Sequence, residues 1–171
     1  MVTTPPVRAD TPRARVVRYE IIYRNTRMGR IVCVANQKGG VGKTTTASNV
    51  AAGLAKSGRR TLLVDLDPQC NATTGLGGSP AETHPLVSET ALSETIMSTA
   101  VTNLSLLPGS RSVRDVERLA EQARNGSMVL SNHLSCGLNA WDYCLIDCPP
   151  SLGELTRTEL AGSTEVLMPI Q

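Results

Sequence analysis

Ile31-Val32-Cys33-Val34-Ala35-Asn36-Gln37-Lys38-Gly39-Gly40-Val41-Gly42-Lys43-Thr44-Thr45-Thr46 is the stretch of this 171-residue chain that decides its fold. Ile31 to Ala35 is an apolar, β-branched run without polar alternation, the pattern of a strand buried on both faces. Glycines 39, 40 and 42 follow it, and Thr44 to Ser57 then reads as a helix closed by Gly58. Thr61 to Leu66 is a second buried run, ending at Asp65-Leu66-Asp67-Pro68. Strand, glycine loop, helix and strand make one right-handed βαβ unit.

Downstream the alternation continues. Gly75 to Pro85 reads as a loop, Ser88 to Met97 as a helix, and Leu104 to Leu107 as a short strand ended by Pro108-Gly109. Ser112 to Arg124 is a charged amphipathic helix with Val113, Val116, Leu119 and Ala120 on one face, and Met128 to Leu138 reads as another. Tyr143 to Ile146 is a strand ending in Asp147-Cys148-Pro149-Pro150, Leu152 to Leu160 a helix, and Val166 to Ile170 a last strand. The fold class is therefore α/β, a mostly parallel twisted sheet flanked by helices. Phe is absent and the aromatics are Tyr19, Tyr23, Trp141 and Tyr143, so the core is made of Val, Leu, Ile and Ala. A chain of this length suits one domain.

Composition removes several function classes. The net charge is +2, but residues 1 to 27 hold six arginines against Asp10 and Glu20, so the remainder, with 11 basic and 13 acidic residues, carries −2. That body is not a basic surface made for nucleic acid. The first 27 residues, with Pro5, Pro6 and Pro12, read either as a disordered basic arm or as a start placed upstream of the true one, since Met28 directly precedes the first core strand. The domain proper is 28–171. Five cysteines without a Cys-x-x-Cys pair read as reduced thiols in a cytoplasmic protein, with no zinc or cluster scaffold. No apolar run approaches the ~20 residues that span a membrane.

The glycine loop has the chemistry of a phosphate cradle. Backbone N–H groups curl inward around Gly39, Gly40 and Gly42, and the helix that starts near Lys43 adds the positive end of its dipole. Lys43 would neutralise the β and γ phosphates of a nucleoside triphosphate, and the Thr44 hydroxyl would coordinate magnesium. The usual motif has Gly where this chain has Gln37, so the loop is a deviant Walker A. Asp65 and Asp67 end a strand of the same βαβ unit, at the side of an open α/β sheet where ligands bind. Taken alone, Asp-Pro is also ordinary turn chemistry, and Asp147 could simply be a strand's exit into solvent. His84 and His133 belong to no motif and read as bystanders.

Ala35 to Thr46 closely resembles the ParA/Soj branch of the ParA/MinD ATPases, which partition plasmids and chromosomes. The resemblance runs from Met28 to Gln171 and takes in Asp65-Leu66-Asp67-Pro68-Gln69, Asn71-Ala72-Thr73 and Leu145-Ile146-Asp147-Cys148-Pro149-Pro150. It implies a P-loop ATPase using ATP and Mg2+, with Lys38, Gly39, Gly40, Val41, Gly42, Lys43, Thr44 and Thr45 around the nucleotide. Lys38 is implied to reach across an ATP-sandwich homodimer to the partner's phosphates, much as an arginine finger does. Asp67 is implied to orient the attacking water, and Asp65 and Asp147 to hold magnesium through water alongside Thr44. Lys38, Lys43 and Asp67 are the catalytic candidates. The implied partners are a second copy, a ParB-like stimulating protein and nonspecific DNA, with no membrane, in the cytoplasm and on the nucleoid.

Family members continue well past the strand that matches Val166 to Ile170. The expectation is therefore a truncated or partial reading frame, with later strands, much of the adenine pocket and the DNA surface missing, and a marginally stable or aggregating chain. A MinD-like membrane or flagellar positioning ATPase, and a nonfunctional fragment, are the alternatives. Iron–sulfur relatives are disfavoured by the cysteine spacings.

Overall fold

The computed structural model describes residues 29–84, 92–113, 140–150 and 162–170. Among the described residues six strands form one sheet: β1 (Arg30–Val34), β2 (Thr61–Asp65), β3 (Met97–Ser98), β4 (Leu104–Leu107), β5 (Tyr143–Asp147) and β6 (Glu165–Leu167), in the order β3-β4-β2-β5-β1-β6. All pairings are parallel except β3 with β4. The helices among the described residues are α1 (Lys43–Lys56), α2 (Asn71–Gly75) and α3 (Leu92–Thr95).

The central strands β2, β4 and β5 are buried on both faces because they are apolar at odd and even positions alike. Leu63, Leu106 and Leu145 pack with Val34 against Ala47, Ala51 and Ala55 of α1, whose four-residue spacing puts three small side chains on one helix face and lets the helix lie close. Ile31, Cys33, Leu62, Val64, Leu107, Cys144 and Ile146 point the other way, with Ile96 and Trp141 beside them. Burial of a leucine side chain contributes roughly 2 kcal/mol, so the central strands carry most of the stability. Helix α1 stops where Gly58 takes a left-handed backbone, φ 86°, and its N–H donates back to Ala55 O.

Three expectations change. Met97 is not helical: the helix ends at Thr95, and Met97 pairs with Leu106 in a tight hairpin closed by Thr99, whose N–H and hydroxyl both donate to Leu104 O. A two-residue strand has no period to read. Asn71–Gly75, quoted above only as a motif, is a short helix. The last strand is Glu165–Leu167 rather than Val166 to Ile170, because Pro169 has no N–H for a ladder. It lies at the sheet edge beside β1, with Val166 50% and Ile170 85% exposed. The helices expected at 112–124, 128–138 and 152–160 lie, apart from Ser112 and Val113, outside the described residues, as does the arm 1–27.

Candidate functional site

Register fixes the site. Val34 of β1 and Asp65 of β2 both lie opposite Asp147 of β5, so the segments leaving these three strands emerge together at their C-terminal ends, where an open α/β sheet takes its ligand. The ends are laced to one another. Leu66 N–H donates to Asp147 O, Cys148 N–H to Val34 O, and Ala35 N–H to Leu167 O.

The glycine loop crosses this end and enters α1. Gly40 and Gly42 have φ of 74° and 82°, the left-handed region that side chains resist. Asn36 anchors the loop's first turn: its Oδ1 accepts from Lys38 N–H at 2.9 Å, while its Nδ2 donates to Pro169 O at 2.8 Å. Lys38, Gly39, Gly40 and Thr45 are exposed, Val41 is buried beneath them, and Thr44 is half-buried. Lys43 is buried, and its ammonium donates to Lys38 O at 3.2 Å, across the mouth of the loop. The two lysines of the motif therefore part company, one held under the loop and one able to reach outward.

The three carboxylates at this end differ sharply. Asp147 is fully buried, and neither carboxylate oxygen has a hydrogen-bond partner. Burial pushes its pKa up to about 7, and the charges of Asp65 and Asp67 add to the rise; Thr44 and Lys43 offset part of it. The Thr44 hydroxyl is thus near enough to favour the charged form while falling short of hydrogen-bond geometry. Asp65 is equally buried yet saturated: Oδ1 accepts from Asp67 N–H at 3.2 Å, and Oδ2 from Thr73 N–H at 2.8 Å and Thr73 Oγ1 at 2.6 Å. Its pKa is raised chiefly by burial, with those hydrogen bonds opposing. Asp67 accepts from Gln69 N–H at 2.9 Å through Oδ1.

A buried carboxylate without a protein donor is costly unless something cationic meets it. Asp147 beside the Thr44 hydroxyl is a donor set of hard oxygens that suits magnesium, which is held by one or two carboxylates together with phosphate and water. Among the described residues no three His, Cys, Asp or Glu side chains gather to bind a metal alone, so such an ion would need the phosphates as further ligands. Lys38, Lys43, Thr44, Asp67 and Asp147 all lie at this end of the sheet. Sequence reasoning passed over Asn36, Thr73 and Gly109, which hold the site from behind. Asn36 reaches Pro169 and Gly109 reaches Thr73 across 133 and 36 residues, too far for a local signal, and the nearer contacts of Asn36 with Lys38 and of Thr73 with Asp65 leave no distinctive pattern in the sequence.

A family model described as an AAA domain matches residues 29–171. The sporulation initiation inhibitor protein Soj of Bacillus subtilis (strain 168) is 42% identical over 149 residues, 84% of this chain and 59% of that protein. A chromosome partitioning protein ParA of Myxococcus xanthus (strain DK1622) is 43% identical over 151 residues, 84% of this chain and 53% of that protein. The crystal structure of a cobyrinic acid a,c-diamide synthase from Mycobacterium smegmatis with bound ADP and magnesium is similar with a TM-score of 0.79 and 38% identity, covering 84% of this chain and 60% of that one. This chain spans 53% to 60% of the length of these proteins. Among the described residues no helix is long and apolar enough to cross a membrane.

Proposed function

Because this chain belongs to the AAA-domain family, in the ParA/Soj branch of P-loop ATPases, we propose that it binds ATP with magnesium and hydrolyses it to ADP and phosphate to partition a plasmid or chromosome. The observation that carries the reading is Asp147. A fully buried carboxylate with no protein donor, one strand from a glycine loop and beside Thr44, is what a magnesium–triphosphate site requires and what an ordinary glycine turn would not need.

In this reading the loop amides from Gly39 to Thr44 and the start of α1 hold the phosphates, and Lys43, already aimed across the loop, turns from Lys38 O to the β and γ phosphates. Thr44 and Asp147 hold magnesium, which when bound supplies charge neutralisation at the γ-phosphate. Asp67 orients the attacking water. Lys38, exposed at the loop's outer edge, acts on the phosphates of a second copy, so the catalytic unit is an ATP-bound homodimer. A ParB-like protein that stimulates hydrolysis, and nonspecific DNA on the nucleoid, are the partners this role calls for. The relatives named for chromosome partitioning favour it over a MinD-type positioning role.

Titration of the protein with a fluorescent ATP analogue, with and without magnesium, tests the proposal. Magnesium-dependent binding is expected in the wild type and is lost in Lys43→Ala; Lys38→Ala retains binding and loses ATP-dependent dimerisation. A wild type that binds no nucleotide, or a Lys43→Ala variant with undiminished turnover, defeats the assignment.

A further inference from the structure

Two carboxylates at the same sheet end are buried alike, and the protein treats them oppositely: Asp147 receives no hydrogen bond and Asp65 receives three. The three on Asp65 come from Asp67 N–H, Thr73 N–H and the Thr73 hydroxyl, which together occupy both of its oxygens. The Thr73 hydroxyl does more than donate. Its oxygen accepts from Gly109 N–H at 2.8 Å, so one side chain joins the segment after β2 to the segment after β4. Gly109 is shaped for this contact. A Cβ there would stand 2.9 Å from Asp65 Cγ, 3.0 Å from its Oδ2 and 3.1 Å from Cys70 Sγ, too close for any side chain without a shift of the carboxylate. Gly109 O in turn accepts from Ala81 N–H, and Thr73 O from Gly78 N–H, so both ends of the bridge are tied down.

The bridge leads to Asp67. Asp65 Oδ1 fixes the Asp67 amide, and Asp67 Oδ1 is set by Gln69 N–H. We propose that Asp65 is a positioning residue rather than a magnesium ligand, and that the Thr73 hydroxyl, by joining Gly109 N–H to the Asp65 carboxylate, holds Asp67 in the geometry that hydrolysis needs. The inference rests on the ATPase reading above for its kinetic consequence and stands on the hydrogen bonds alone for its structural one. Displacement of a catalytic group by as little as an ångström costs rate while leaving the bound substrate's contacts in place. Thr73 and Asp65 therefore act on kcat, not on nucleotide or metal affinity.

Three variants, with Asp147→Asn as the comparison, decide it. Thr73→Val keeps the shape and removes the hydroxyl; Thr73→Ser keeps the hydroxyl; Asp65→Asn keeps the volume and removes the charge. The expected result for Thr73→Val is a kcat about tenfold lower with KM for ATP within about twofold of wild type, since losing a positioning contact typically costs on the order of tenfold or more in rate. Thr73→Ser restores kcat. Asp65→Asn leaves the magnesium concentration for half-maximal nucleotide binding within about twofold, whereas Asp147→Asn raises it about tenfold or more, as loss of a metal-site residue does. A kcat in Thr73→Val equal to wild type, a fall that Ser does not rescue, an effect confined to KM, or a magnesium requirement in Asp65→Asn that rises as in Asp147→Asn would each overturn the proposal.

Amide hydrogen exchange without nucleotide supplies the arm that does not depend on catalysis. The amide protons of Asp67 and Gly109 are expected to exchange about tenfold faster in Thr73→Val and at the wild-type rate in Thr73→Ser, with those of β1 and β5 unchanged. Unchanged exchange at Asp67 overturns the clamp. If the wild type hydrolyses no ATP, the ATPase reading has failed, and exchange at Asp67 still decides whether Thr73 holds it.

Discussion

Replacing Asp147 by Asn should stabilise the nucleotide-free, magnesium-free protein in alkaline solution and progressively less as the solution is acidified. The carboxyl has an ordinary pKa of 3.8 and one of about 7 in the fold, with burial the main cause. The folded state therefore binds more protons than the unfolded state between those values. Stability from this group is present at low pH and is lost as pH rises from about 4 through about 7. At about 1.4 kcal/mol for each tenfold difference in proton affinity, the stability this carboxyl supplies in strong acid has fallen by about 2 kcal/mol at pH 5, where the folded group is still neutral, and by at most about 4 kcal/mol at pH 8, where it is charged.

An amide in the same place is also buried without a partner, at roughly 1–3 kcal/mol, but that penalty does not change with pH. The quantity to measure is thus the difference between the two proteins, not either stability alone. The difference also disposes of His84, whose pKa burial lowers from 6.5 to about 4. That histidine works in the opposite sense, since its folded form binds fewer protons and stability falls as pH drops from about 6.5 towards about 4. It would mask the Asp147 effect in the wild type taken alone, whereas both proteins carry it and it cancels in the comparison. Urea unfolding of wild type and Asp147→Asn in EDTA at pH 5, 6, 7 and 8 is the assay. The stability of the variant relative to wild type should rise by about 2 kcal/mol from pH 5 to pH 8. A flat difference, or one that grows towards acid, would mean that Asp147 is charged and satisfied in the fold, and the case for a metal site would lose its foundation.

Gly42→Ala is expected to cost about 1–2 kcal/mol in urea unfolding. The residue has φ of 82°, and an added methyl would meet no atom within 4 Å, so backbone strain alone acts. Gly39→Ala, equally unobstructed and without a positive φ, should cost under about 0.5 kcal/mol. The ion pair of Arg30 with Glu165, both half-exposed, ties β1 to the edge strand β6, and Glu165→Gln should cost less than about 1 kcal/mol, an effect that shrinks further in molar salt when measured the same way.

The parts of this fold that were legible in the sequence are those whose cause is local. The run Ile31 to Ala35, the three loop glycines and the stop at Gly58 each act through neighbouring residues, and β1, the loop and α1 appear within a residue or so of their expected bounds. The hairpin of β3 and β4 was not legible, because Met97–Ser98 is held by its partner strand rather than by any pattern of its own. Helix α2 was missed for a similar reason: it starts from Cys70 in a left-handed conformation, φ 55°, which no propensity favours and which the Asp67 carbonyl supports by accepting from Cys70 N–H. The residues that would bind phosphate announce themselves by composition. Those that hold them, Asn36, Thr73 and Gly109, find partners up to 133 residues away.

The same limit explains why the sequence could not separate the carboxylates. Asp65, Asp67 and Asp147 all lie at or just past strand ends, all precede turns, and all reach one end of the sheet. What distinguishes them is the supply of donors, and that is a property of the fold. Thr73 sits eight residues from Asp65 along the chain and is brought to it only because α2 folds back over the end of β2; Gly109 arrives from β4, the neighbouring strand. Both of these partners come to Asp65 from the β4 side of β2. Asp147 lies on the other side of β2, in β5, whose other neighbour is β1, the strand that feeds the glycine loop. Sheet order thus gives one carboxylate a protein partner and leaves the other facing the phosphate cradle. A motif match treats the two alike, whereas in the fold Asp65 receives three protein hydrogen bonds and Asp147 none.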